Sequence, residues 1–477
     1  MLFNSYEFLI FLPLVWFVYW VLLRKTMRGQ NLLLLVASYV FYGWWDWRFL
    51  GLIALSSIVD FIAAQKIHQN TQKSKRKAWL WLSIGVNLSV LLFFKYYNFF
   101  ASSLVNAFDS LNIYINPFTL QVLLPVGISF YTFQTMSYSI DVYHKKLEPS
   151  RDWIEFFAFV SFFPQLVAGP IERARHLLPQ FYKKREFDYK TSADGLRQIL
   201  WGMFKKVVIA DSLAPSVDYI YSHYHEVSAG ALILGTVFFA IQVYGDFSGY
   251  SDIAIGTARL FGFDLMTNFR TPYFSKSLVE FWRRWHISLS TWFRDYLYIP
   301  LGGNRHGIKG QAFNMVVVFT VSGLWHGAEW TFVLWGLLHG VYLAQSLFWQ
   351  RYVIKGRKIK NKWLAKINGV AMSLKIFGVM CISYVFFRTL TLQHAWGYFK
   401  GMLNTENFFE IPKAVQGNYH LYFIIALLVI DLINEKQDHQ FKLGKVPQVF
   451  RWLIYLIVSV LILQYFGSSE SFIYFQF

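Results

Sequence analysis

The sequence is poor in the residues that carry most soluble-protein chemistry. Its 477 residues include a single cysteine, Cys381. One thiol excludes an internal disulfide and a cysteine-built metal centre, and its apolar neighbours point to a buried, inert side chain. Charged residues make up only 15% of the chain, where soluble domains carry about a quarter. Acids are the scarcer sign: 27 Asp and Glu stand against 45 Lys and Arg, for a net charge of +18. No Walker motif, G-x-G-x-x-G or H-E-x-x-H occurs, so ATP-driven transport, nicotinamide chemistry and zincin chemistry have no footing. The excess of base is not arranged as a Lys/Arg–aromatic nucleic-acid module. It is clustered between apolar runs, as in the cytoplasmic loops of membrane proteins. No nucleic-acid partner, bound cofactor or metal site is therefore expected.

What fills the chain instead is apolar: 55% of residues are hydrophobic, 20% are aromatic and the mean hydropathy is +0.35. The apolar runs have the length of roughly 17–25 residues that a helix needs to cross a hydrocarbon core. Their positions predict an all-α polytopic membrane protein with about twelve spans, near 7–23, 31–45, 49–65, 78–104, 120–142, 194–213, 228–246, 312–328, 331–349, 369–388, 419–434 and 452–467. The basic segments 66–77, 144–151 and 351–366 all fall on one side when these spans are counted, and 105–119 and 215–227, without Lys or Arg, fall on the other. Basic loops face the cytoplasm, so both termini are expected outside a multi-pass cell membrane. Arg24, Lys25 and Arg28 follow the first apolar run rather than precede it, which marks a retained span rather than a signal peptide. Residues 153–172 are apolar but hold Pro164, Gly169 and Pro170, and predict a re-entrant or broken segment. The stretch 264–311 is too polar to cross and too aromatic to be free in water. The whole chain, 1–477, reads as one membrane-embedded domain with a short aromatic tail at 468–477.

Ionisable groups within a membrane are costly, and each is a candidate for function. His326 lies in Ser322-Gly323-Leu324-Trp325-His326-Gly327, at the end of an apolar run, and imidazole is a base near neutral pH. A histidine bonded to a neighbouring carbonyl is the plainer alternative. His339, in Leu338-His339-Gly340, looks similar with less around it. A second constellation runs from Glu280 to Tyr296. Phe281, Trp285, Leu289 and Trp292 share one face at helical spacing, and Glu280 and Arg284 form an i,i+4 pair, so an amphipathic helix is predicted. It serves either as an interfacial anchor or as part of a site. His286 among Arg283, Arg284 and Arg294 favours a site, because guanidiniums suit the phosphates of a donor such as a coenzyme A thioester. The segment Gly245-Asp246-Phe247-Ser248-Gly249-Tyr250-Ser251-Asp252 lacks nucleophile-elbow spacing and reads as close helix packing with hydrogen-bonded Ser and Asp.

At these blocks the chain resembles the membrane-bound O-acyltransferase superfamily. Within it, the resemblance is to the bacterial branch of alginate O-acetyltransferase, the peptidoglycan O-acetylation membrane subunit and the D-alanyl transfer protein of teichoic acid. The strongest matches are Val126-Gly127-Ile128-Ser129-Phe130, Gly169-Pro170-Ile171, 246–252, Phe281-Trp282-Arg283-Arg284-Trp285-His286, 298–305 and Leu324-Trp325-His326-Gly327. The resemblance implies a funnel or tunnel through the membrane, with His326 the essential histidine and His286 the second of a pair. Trp282, Arg283, Arg284, Trp285, Arg294, Asn304 and Trp325 are expected to hold substrate. It further implies acetyl transfer from acetyl-CoA or a related acyl thioester to an extracytoplasmic polysaccharide, directly or through a polymer-binding partner protein. The C-terminal Phe472-Ile473-Tyr474-Phe475-Gln476-Phe477 resembles the aromatic motif of a small companion subunit of the D-alanyl system, which makes Tyr474 a candidate acyl carrier. An interfacial anchor is the alternative for this tail. A multi-span solute transporter and a membrane scaffold are the competing functions; matching broken helices in two halves, the mark of many transporters, are not seen.

Overall fold

The computed structural model describes residues 1–121, 123–354, 361–416, 421–435, 437, 439, 441–444, 446–467 and 472–473. Among them there is no strand; the described residues form helices joined by turns and loops. Among the described residues, six helical stretches are long and apolar enough to cross a membrane: Met27–Gln69, Lys73–Asp109, Ala229–Leu260, Trp330–Tyr352, Lys362–Arg388 and Gln448–Tyr465. Shorter apolar helices cover Tyr6–Leu22, Trp153–Leu166 and Leu421–Ile433. Cys381 is buried and free, as its surroundings predict.

The chain separates into two compact units, Met1–Leu196 with Ala254–Met266, and Arg197–Ile253 with Thr267–Phe477. The first unit begins with α1 (Tyr6–Phe17), α2 (Met27–Asp46), α3 (Leu50–Gln69), α4 (Lys73–Leu91) and α5 (Tyr97–Asp109). It continues with α6 (Ile128–Tyr143), α7 (Trp153–Ser161), α8 (Phe163–Leu166) and α9 (Ala174–Phe181). The apolar run expected to span 120–142 becomes helical only at Ile128, since Pro125 and Gly127, at φ +74°, fix a turn before it. A Cβ on Gly127 would also stand 2.7 Å from the Leu166 carbonyl oxygen. Residues 153–166 are a broken helix, as Pro164 suggests, with the break at Phe162.

One network of buried polar groups inside this unit is paired, as an apolar interior favours. The Asp60 carboxylate on α3 accepts hydrogen bonds from Ser83 Oγ and Asn87 Nδ2 on α4 and from Ser139 Oγ on α6. The three helices share one register through this fully buried group. Nearer the polar end, His176 on α9 donates toward two carboxylates, Glu172 at 2.8 Å and Asp264 at 3.5 Å. These partners raise its pKa to about 10.

The second unit takes over within α10 (Tyr189–Met203), which runs through a π-helical stretch, Phe204–Asp211, into α11 (Ser212–Ser222). Then come α12 (Ala229–Leu260), α13 (Leu278–Arg284), α14 (Ile287–Phe293), α15 (Gly307–His326) and α16 (Trp330–Trp349). The last helices are α17 (Lys362–Arg388), α18 (Leu392–Met402), α19 (Lys413–Gln416), α20 (Leu421–Ile433) and α21 (Gln448–Tyr465). Two sequence expectations change here. Helix α12 does not stop at residue 246 but continues through the acidic motif to Leu260. Its carboxylates are neutralised within the unit: Lys206 Nζ lies 2.8 Å from both Asp211 and Asp246, and Lys205 pairs with Asp252. Gly249 makes the approach possible, as a Cβ there would meet the Gly202 carbonyl oxygen at 2.7 Å. The motif is close packing with bonded acids, as read.

The second change concerns the amphipathic segment. Instead of one helix through Phe281, Trp285, Leu289 and Trp292, there are two short helices meeting at an elbow. Residue His286 sits at the elbow with φ 42° and ψ 54°, a left-handed conformation. The four apolar residues remain buried despite the break.

Candidate active site

The elbow is what aims His286. A left-handed backbone at a residue with a Cβ costs on the order of 1–3 kcal/mol and persists only when neighbours enforce it. The enforcing neighbour is the buried segment around Asn268. The Asn268 carbonyl oxygen accepts the Ile287 N–H at 2.9 Å, and its Oδ1 accepts Ser288 Oγ–H at 2.6 Å. Asn268 Nδ2 in turn donates to Ser251 Oγ on α12 at 3.1 Å, and Arg270 N–H bonds the Arg284 carbonyl at 2.9 Å. The chain before His286 is thus stitched to the chain after it, and both to α12.

His326 is placed by a different device. It is the last residue of α15, which packs tightly on α16. Gly323 and Gly336 are the contact point: a Cβ on Gly323 would stand 2.2 Å from the Phe332 carbonyl oxygen and 3.0 Å from the Gly336 Cα. The two histidines, both almost fully buried, face each other with ring centroids 6.4 Å apart. Aromatic rings wall the pair. Phe247 lies 4.6 Å from His286; Trp335 and Phe387 lie 5.4 and 5.3 Å from His326. Trp325 touches both, at 6.1 and 5.0 Å. Two imidazoles enclosed by aromatic rings can accept a proton from a hydroxyl and hand it on, and such an enclosure disfavours water as a competing acceptor.

The other predicted residues divide. Trp285 is buried and stacks on Phe281 at 5.5 Å, while Trp282 packs on Phe319, Trp335 and His339. The arginines are less uniform than their sequence clustering suggests. Arg284 is held between Glu280 at 2.7 Å and Glu435, and the exposed Arg294 pairs with its neighbour Asp295 at 2.8 Å. Arg283 is exposed. Asn304 is exposed on the turn after α14, where its Oδ1 accepts the Tyr298 hydroxyl proton at 2.5 Å. Neither Arg294 nor Asn304 joins the aromatic wall of the histidine pair. Tyr474 lies outside the described residues, as do Lys355, Arg357, Lys358 and Lys360 of the basic segment.

The two tail residues that are described, Phe472 and Ile473, are buried on α12. Asp246 Oδ2 accepts the Ile473 N–H at 2.7 Å, and Phe472 packs against Tyr250 at 4.8 Å and Phe247 at 5.8 Å. Phe247 is the ring that also touches His286. Sequence reasoning did not find Asn268, Trp335, Phe387 or the tail-binding role of Asp246. Gly323 stood in the motif around His326, but it was not legible that Gly336 would meet it or which ring this would bring to His326.

Comparison with known proteins shows the family. The sequence model of the MBOAT, membrane-bound O-acyltransferase, family matches residues 150–391, which contain both histidines. The chain is 42% identical over 410 residues to a protein of Azotobacter vinelandii named a probable alginate O-acetylase, AlgI, covering 85% of this chain and 78% of that one. It is 41% identical to the Pseudomonas aeruginosa protein of the same name, over 92% of this chain and 82% of that one. It is 32% identical to a peptidoglycan O-acetyltransferase of Helicobacter pylori, over 100% of this chain and 98% of that one. Nothing in these comparisons supports a solute transporter. By the family model and by these relatives, the chain belongs to the membrane-bound O-acyltransferase family.

Proposed function

We propose that this membrane O-acyltransferase takes an acetyl group from a cytoplasmic acyl thioester, acetyl-CoA or a relative, and delivers it to a hydroxyl of an extracytoplasmic polysaccharide. The observation that carries the reading is the facing pair His286 and His326 in a ring-lined pocket, with the C-terminal tail seated on the helix beside it. The relatives are named for alginate and for peptidoglycan, both hydroxyl-bearing polymers, which supports a polymer acceptor. In the proposed step His326 accepts the proton of the attacking hydroxyl. The oxygen bonds to the thioester carbonyl carbon, the C–S bond breaks, and the thiolate leaves and is protonated. His286 serves the donor side.

The candidate attacking hydroxyl in the chain itself is that of Tyr474, which follows the seated Ile473 in the sequence. A phenol, with a pKa near 10, is a poor nucleophile without a base to take its proton. The acetyl ester of Tyr474 would then pass to the polymer, directly or through an extracytoplasmic partner that binds it. This route agrees with twelve spans, both termini outside the cytoplasmic membrane, and a donor arriving from the basic face. Mass analysis of the secreted polymer, with and without the protein, tests the reading. Acetylated sugar units that vanish with the protein support it; an unchanged acetyl content contradicts it.

A further inference from the structure

Beside the histidine pair lies a second group of buried nitrogens that the proposed step does not use. His339, on α16, is almost fully buried against Trp335 at 4.7 Å and Trp282 at 5.3 Å. Trp282 and Trp335 touch each other at 5.7 Å, and Trp335 touches His326 at 5.4 Å. Neither ring nitrogen of His339, nor the indole N–H of Trp282 or Trp335, has a hydrogen-bond partner among the described residues. One such group can be an accident of packing. Three in mutual contact, beside the histidine pair, call for a ligand, because an unmet donor in a buried interior is destabilising.

The chemistry of the cluster restricts that ligand. An indole N–H only donates, so the ligand brings acceptor oxygens. No cation or carboxylate belongs to the three rings, so the bound part is uncharged and slender enough to lie among them. Position restricts it further. His326 stands at the end of α15, and α16 runs back from Trp330 toward the basic segment after Tyr352, so His339 is nine residues further along, about 13 Å at 1.5 Å per residue. On the proposed topology that is the cytoplasmic side of His326, where the donor enters.

We infer that His339, Trp335 and Trp282 form the seat for the uncharged amide-and-thioester arm of the acyl donor, and that His339 is a third functional histidine. The inference rests on the acyl-thioester reading above. The three N–H groups bond carbonyl oxygens of the arm and hold the thioester carbon within reach of the His286–His326 pair. Coenzyme A and a carrier protein bearing the same arm are recognised alike by these residues.

The test uses the purified full chain in lipid nanodiscs with acetyl-CoA as probe. The variants are His339→Phe and Trp335→Phe, with His339→Gln restoring a donor. Removing an unmet polar group without its donor leaves the empty protein as stable as before or more stable. Unliganded melting temperatures at or above wild type, with KM for acetyl-CoA raised about tenfold for a lost bond, support the seat. Partial recovery of KM in His339→Gln supports it further. Wild-type KM in both Phe variants overturns it, and shows the nitrogens bound to water alone. A fall in melting temperature in both Phe variants with KM unchanged in whatever folds also overturns it. If the wild type consumes no acyl thioester, the functional reading itself fails and the donor seat with it.

Discussion

The imidazoles of His286 and His326 stand 6.4 Å apart, one at a left-handed elbow between two short helices and the other at the end of a long one. Each is placed by a different part of the second unit, so each can be displaced separately. The elbow depends on Asn268, whose side chain bonds Ser288 and Ser251. Asn268→Leu keeps the volume and leaves both hydroxyls without that partner. It is expected to destabilise by about 1–3 kcal/mol and to lower donor consumption, whereas the restoring change Asn268→Asp keeps the acceptor for Ser288. Thermal melting of the purified variants beside an acyl-thioester assay reads both effects. Wild-type turnover in a folded Asn268→Leu protein would show that the elbow does not aim His286.

The tail offers a second separable element. Asp246 joins it to the buried Lys206 and accepts the Ile473 N–H. Incubation with labelled acetyl donor is expected to leave label on a C-terminal peptide of the wild type and none on Tyr474→Phe, which keeps the ring and loses one oxygen. Asp246→Asn keeps an acceptor for Ile473 but weakens the Lys206 pair, so labelling should fall without vanishing. Normal polymer acetylation by Tyr474→Phe would make the tail an anchor and the acceptor the direct recipient.

Much of this was legible in the sequence, and the rest was hidden for identifiable reasons. His326 and His286 stand in dense motifs of aromatic, glycine and charged residues. The break at His286 was not legible, because Phe281, Trp285, Leu289 and Trp292 keep helical spacing across it and end up buried in either geometry. What bends the chain there is a hydrogen-bond set from Asn268, distant in sequence and ordinary in composition. Helix α12 was cut short at Asp246 because an unpaired carboxylate in a membrane is costly. The sequence alone does not show that Lys205 and Lys206 come to meet it. The run before Ile128 was apolar enough to span, but hydropathy is blind to the turn that Pro125 and Gly127 impose.

The His176 clamp in the first unit gives a pH signature. Asp264 and Glu172 hold its pKa near 10, above the 6.5 of the unfolded chain. A raised folded pKa contributes stability in full below pH 6.5, and that contribution shrinks as pH rises toward 10. The melting temperature of wild type should therefore exceed that of His176→Gln most at pH 6 and by progressively less at pH 8 and 9. A gap that widens with pH would contradict a protonated His176 between two carboxylates.

Topology can be tested without reference to activity. Asn112 is exposed in the loop after α5, and Cys381 is buried. In a Cys381→Ser background, Asn112→Cys is expected to react with a membrane-impermeant maleimide in intact cells. Reaction only after permeabilisation would invert the proposed orientation.

The most direct measurement compares wild type with His326→Ala, matched for amount in the membrane and for melting temperature, in thioester consumption and in polymer acetyl content. Loss of a general base lowers rate by about two to four orders of magnitude. A folded His326→Ala protein that consumes donor at that reduced rate, in cells whose polymer carries no acetyl, is the predicted result. Near-normal polymer acetylation by a well-expressed His326→Ala strain would contradict it, and would leave the histidine pair a feature of packing.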